Sequence, residues 1–250
     1  MLDDLSSRDA TKRKQALEQI ESAAIASDDE LARLFVELTA IDTSNELAAS
    51  YQALALSILI RIDAAGPHVL QFDGESQRRL KPVLDWWQAR GHGPGEAWRE
   101  DCGWLDSIGH GAELAGAVGQ HRTASTAVVA EWATVAARLA QADRRFLASE
   151  QERLALAFAL LTARAPELLD ALEAADLWET KSPQSPSEPG WESNRNVHTF
   201  LCALATIWTF GVAIPEGGIS LPPRDLDSAE CTWLRRALAS TDTSGMWGQS

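Results

Sequence analysis

The sequence predicts an all-α protein, an α/α superhelix of irregular HEAT-like helical hairpins forming a single domain over residues 1–250. Three observations predict it. Alanine and leucine dominate, and strand-like alternation of β-branched residues is nearly absent. Helix-start signals recur at the intervals of helical hairpins, although no clean repeat period emerges. The apolar residues between those signals fall at i, i+3, i+4 spacing, the stripe that a helix turns toward a core.

In chain order, the first helix runs from about Asp9 to Ala26 and turns Leu17 and Ile20 inward. Ser27-Asp28-Asp29-Glu30 and Thr43-Ser44-Asn45-Glu46 both have the capping-box form, in which a hydroxyl and a glutamate satisfy orphan amides at a helix start. Leu31, Leu34, Phe35 and Leu38 follow the first box, and Leu47, Tyr51, Leu54 and Ile58 the second. Pro82, Pro94 and the Gly91–Gly95 run punctuate the middle, leaving a helix with Trp86 and Trp87 before a loop. That glycine run lacks the Gly-Lys-Ser/Thr ending and the preceding strand of a phosphate loop. Next come a helix from Trp104 to about Gly119, one with Val128, Trp132, Val135 and Leu139, and one from Ser149-Glu150-Gln151-Glu152. The last is apolar on nearly all sides and should be central. Prolines and serines then impose a loop at about 179–193. A helix from about Asn194 to Phe210, a second loop at about 214–227, and a helix from about Ser228 to Ala239 close the chain.

Composition narrows the function. With 45% hydrophobic and 23% charged residues the chain can bury one continuous core. Its net charge of −14 repels phosphate backbones and anionic lipids, so neither nucleic acid nor membrane is expected as a partner; basic clusters such as Lys12-Arg13-Lys14 read as solvated helix faces. The N-terminus has no leader pattern and apolar stretches such as Leu54–Ile60 are too short to cross a bilayer, which implies a cytoplasmic protein. Cys102, Cys202 and Cys231 are odd in number and far apart, the pattern of buried thiols rather than of a disulfide framework or zinc site. Ten tryptophans against one tyrosine suggest helix-packing anchors.

The most informative stretch is Gly103–Glu113. On a helix, Asp106, His110 and Glu113 fall at i, i+4 and i+7 and share one stripe, with Trp104, Ile108, Ala115 and Val118 opposite. Such a face also suits an ordinary amphipathic surface helix, with Asp106 and His110 a simple local pair. Yet Gly109, Gly111, Gly116 and Gly119 each cost a helix roughly 0.5–1 kcal/mol relative to alanine. Close helix packing or close approach of a ligand must compensate. A carboxylate beside a histidine can polarise the imidazole for acid–base work, with Glu113 as a second proton carrier. A divalent metal held by His110 and Asp106 would need further ligands from elsewhere, with Asp101, His121 and His198 as candidates, and no cofactor is otherwise expected. His198 and Cys202 lie one helical turn apart, but the apolar run around Cys202 points to an inert thiol. No Gly-x-Ser-x-Gly, His-Glu-x-x-His or Walker sequence occurs.

Gly103, Trp104, Ser107, His110, Gly111 and Ala112 resemble the Gly-Trp-x-His-Ser-x-x-His-Gly-Ala-Asp-like signature of the bacterial domain-of-unknown-function family 2785. Ser50-Tyr51, Glu150-Gln151-Glu152-Arg153-Leu154 and Asn196-Val197-His198-Thr199-Phe200-Leu201 extend the resemblance over roughly residues 46–208. Asp106 stands where the family pattern has its first histidine and Glu113 where it has aspartate, so a role that needs both histidines does not carry over. The resemblance implies a helical fold and a site at this signature, and names no reaction.

The expected function is therefore a protein- or peptide-binding scaffold with a basic partner, in which Trp104, Asp106, Ser107, His110 and Glu113 form the binding surface. The alternative is a small-molecule enzyme, a hydrolase or metal-assisted, using Asp106, His110 and Glu113. An enzyme requires further polar groups converging on His110, whereas a scaffold can leave the stripe in an open groove.

Overall fold

The computed structural model describes residues 1–66, 68–72, 74–92, 98–169, 187–214, 219–225 and 227–240. Within them the protein is all-α: a 3₁₀ turn Leu2–Ser6 precedes α1 (Ala10–Ala26), α2 (Asp28–Thr39), α3 (Glu46–Ala65), α4 (Gly74–Ala89), α5 (Ser107–Gln120), α6 (Thr126–Ala140), α7 (Glu150–Arg164), α8 (Trp191–Phe210) and α9 (Ala229–Ser240). Two short antiparallel pairs interrupt the helices, β1 (Trp98–Arg99) with β2 (Gly103–Trp104) and β3 (Val212–Ile214) with β4 (Ile219–Leu221). The sequence offers no alternating run for strands so short, because the pairing itself defines them.

Caps fix the helix starts. The Asp9 and Ser27 side chains accept the Thr11 and Glu30 amides, as the capping pattern predicts. At α3 the cap is Asn45, which accepts from Ala48 N at 3.1 Å, so the cap lies two residues later than the Thr43 reading places it and no capping box forms, since Ala48 stands where its glutamate would be. Pro82 does not punctuate. It sits inside α4 on the exposed side, where its missing amide and the carbonyl it displaces can face water.

Four helices run parallel as neighbours. Ser50 meets His110 near the starts of α3 and α5, and Asp63 meets His121 near their ends. Gly109 lies against Arg153 of α7, and Gly119 against the backbone of Leu161. Gln151 bonds Asn196 at 2.8 Å, and Phe158 stacks edge-on to Phe200 at 5.6 Å, which sets α8 beside α7 in the same sense. The helices that alternate with them in sequence pack on one another, α2 with α4 and α4 with α6. The central position expected for the helix after Ser149 holds, since α7 touches α5, α6 and α8. The core contains Leu34, Leu56, Leu59, Trp87, Phe158 and Phe200, each worth roughly 1.5–3 kcal/mol on burial. Trp86, Trp132, Trp208 and Trp233 are buried anchors as well.

α3 spans 20 residues and is long and apolar enough to cross a bilayer, unlike the Leu54–Ile60 stretch considered alone. In the fold α1, α2 and α5 cover it. Of the loop expected at about 179–193, residues 179–186 lie outside the described residues, and α8 already begins at Trp191. The loop expected at about 214–227 contains β4, set up by Gly211 at φ 71°, where a Cβ would come within 2.7 Å of the Leu221 carbonyl.

Candidate functional site around His110

Asp106 is not a residue of the helical stripe but its N-cap. Its side chain accepts the Gly109 amide at 3.0 Å, and α5 starts one residue later. The same carboxylate is paired with Arg153 of α7. Gly109 permits this, since a Cβ there would overlap both the Asp106 carboxylate and the Arg153 guanidinium. Arg153 also lies 3.9 Å from Glu113, and Glu113 is bonded on its other side by Arg61 of α3 at 3.2 Å. Carboxylate and guanidinium thus alternate across the seam of three helices.

His110 sits within this lattice, partly buried. Its Nδ1 is 2.8 Å from the hydroxyl of Ser50, which is fully buried. The Tyr51 ring packs edge-on against the imidazole at 5.1 Å, and the buried Arg13 guanidinium lies 4.7 Å from the Tyr51 ring centre. Arg13 in turn donates to the carbonyls of Ser7, Arg8 and Cys102. Among the described residues, His110 Nε2 has no hydrogen-bond partner. Burial pulls the imidazole down to about 4; Glu113 and the Ser50 backbone oppose that, and Arg153 and Arg13 reinforce it. The ring is therefore neutral at pH 7. Burial also pushes the Asp106 carboxyl up, against the lowering effects of Arg153 and the Gly109 amide.

Several sequence expectations need correction here. Trp104 belongs to β2, not to the helix, and is 49% exposed rather than on an apolar back face. α5 is not an amphipathic surface helix: most of its residues are buried, and its polar positions lie along the seams with α3 and α7. Ser107 opens the helix fully buried, its hydroxyl without a partner among the described residues. The glycines answer to packing. A Cβ at Gly111 would overlap the Trp87 indole, which donates to the Ile108 carbonyl at 3.2 Å, and one at Gly119 would come within 2.9 Å of Leu161 N.

Asp106 makes no side-chain bond to His110 among the described residues, so the local pair read from the spacing is not formed. Among the described residues the group that could hold a metal is a different one, Asp63, His68 and His121, whose ligand atoms all lie within 4.8 Å of one another. His121, foreseen as an outside ligand for His110, belongs there. Asp101 pairs with Arg8 at 3.6 Å. Cys202 is exposed, not buried, with its sulfur 3.5 Å from His198 Nε2; Cys102 and Cys231 are buried as expected.

The sequence reading assigned no site role to Ser50, Tyr51, Arg61, Arg153 or Arg13. Three of them, Ser50, Tyr51 and Arg153, fall in the flanking segments that carry the family resemblance, which was the available signal. Comparison with known proteins matches residues 34–205 to the family described as "Protein of unknown function (DUF2785)". That span holds α3, α5 and α7 and every site residue named above except Arg13. No curated protein and no solved structure matches the chain.

Proposed function

The chain belongs to that family, whose description assigns no activity, and from its own residues we propose that it binds a small anionic ligand where α3, α5 and α7 begin. One observation carries the reading: a neutral His110 whose Nδ1 is fixed by Ser50 and whose Nε2 has no partner among the described residues, within the electrostatic reach of the partly exposed Arg153. The fixed nitrogen orients the ring, so Nε2 meets a ligand without a rotational search. The starts of α3, α5 and α7 lie along the same rim, although that of α5 is already capped by Asp106. Asp106 and Glu113 already serve arginines, which leaves them little free charge to offer the basic partner that the sequence suggested.

The parallel row supports reading the chain as an α/α superhelix of HEAT-like hairpins, with this rim along one edge. A neutral imidazole with one nitrogen held also suits a general base, so an enzyme site at the same residues is our second reading. Ser50 would then orient His110 rather than attack, because its hydroxyl is buried.

A thermal-shift screen of carboxylates, phosphates, neutral sugars and amines tests both readings. An anion at about a hundred times its Kd should raise Tm by roughly 5–10 °C, and His110→Ala should abolish the rise. Stabilisation by amines alone, or an equal rise in His110→Ala, would sink the proposal. Chemical conversion of the stabilising compound would decide for the enzyme.

A further inference from the structure

At the opposite end of the same helix row, we propose that Asp63, His68 and His121 form a binding site for one divalent transition-metal ion of the zinc class. Asp63 lies in the last turn of α3, and His121 caps α5. Both are fully buried. The three ligand atoms lie within 4.8 Å of one another, and an ion with nitrogen and oxygen donors at about 2.1 Å would draw them to roughly 3.4 Å apart. Binding then requires His68 to move inward and the 2.7 Å Asp63–His121 contact to open slightly. The ion would replace the proton that His121 Nε2 shares with the Asp63 carboxylate.

The surroundings are those of a metal site. Asp63 also accepts the Val69 and Leu70 amides at 2.7 and 3.0 Å, and Thr123 Oγ1 is 3.0 Å from His121 Nδ1. These outer bonds hold the carboxylate and fix the imidazole's orientation, as partners of metal ligands do. Phe72 walls the other side, 4.6 Å from the His121 ring. Two helix C-termini converge here, and their partial negative charge favours a cation. Exposed Arg122 is the cationic group that acts on His68 against it.

His68 is the residue a purely structural cluster does not explain. It holds φ 58°, a left-handed conformation that costs any non-glycine residue, and its buried Nδ1 has no hydrogen-bond partner among the described residues. A glycine would make the same turn without strain. A bound ion accounts for both, because it requires this imidazole at this place. Two imidazoles with one carboxylate select a transition ion over magnesium or calcium.

The full-length chain, stripped with chelator, should be titrated calorimetrically with Zn²⁺ and with Co²⁺. One equivalent should bind, and a hundredfold excess over Kd should raise Tm by roughly 5–10 °C. His68→Gly keeps the backbone conformation and should fold; losing even an outer-shell partner weakens metal binding roughly 10–100-fold, so this ligand loss should cost about 100-fold or more. His110→Ala should bind as wild type does. Absence of binding for both ions, or undiminished affinity in His68→Gly, would overturn the site.

Discussion

Gly111 marks the point where a single atom decides the packing of two helices. A Cβ there meets the Trp87 ring, which is fully buried and cannot move without losing its bond to Ile108. Gly111→Ala should therefore destabilise the protein by about 1–3 kcal/mol in urea unfolding, despite alanine's better helix propensity. A neutral or stabilising result would mean that Trp87 repacks. His110 makes a pH prediction. Its folded value of about 4 lies below its ordinary 6.5, so between the two the unfolded chain takes up a proton that the native state refuses. Stability should rise with pH through that interval and be lost on acidification, by on the order of 2 kcal/mol between pH 5 and 6.5. Asp106, pushed up by burial, works oppositely at the acid end, since the native state takes up its proton first. His110→Asn should flatten the slope between pH 5 and 6.5; an unchanged slope would show that other groups set it. At this scale the sequence disclosed His110, Asp106 and the glycines. It could not disclose their partners, because Arg153 reaches Asp106 across 47 positions and Ser50 reaches His110 across 60.

Helices were legible as elements because caps and apolar stripes are local. α1, α2, α7 and α9 begin within one or two residues of their start signals. Errors arose where the local pattern served two structures. Thr43 and Asn45 both stand ahead of a suitable run, and only the closed turn decides that Asn45 caps α3. Asn45→Ala should thus cost about 1 kcal/mol, and Thr43→Ala far less, in thermal or urea unfolding; equal losses would return the cap to Thr43. Trp104 fitted a helical wheel just as well as the strand it occupies, since its pairing with Trp98 depends on a turn over residues 100–102 that closes at Gly103, φ 82°. The polar stripe of α5 resembled a solvated face for a related reason: periodicity reports which residues are polar, not that arginines from α3 and α7 will cover them.

Over the whole molecule, the all-α class followed from composition, while the parallel order of α3, α5, α7 and α8 followed only from contacts between distant segments. Charge acts at this scale too. The net −14 opposes the approach of an anion, whereas Arg153, Arg61 and Arg13 act on it only at short range. Association of the stabilising anion should therefore accelerate as salt rises from about 20 to 200 mM, because screening weakens the distant field more than the half-buried contacts. Stopped-flow rates that fall with salt would show that the arginines dominate at long range. Arg13 carries a consequence for how the chain matures. It is buried near the beginning of the protein, yet one arm of its guanidinium closes on the Cys102 carbonyl, 89 positions downstream. A ribosome that has released only α1, α2 and α3 has released a buried cation still lacking that acceptor. α1 should then dock durably only after the segment ahead of α5 emerges, so that a helix synthesised early is fastened late.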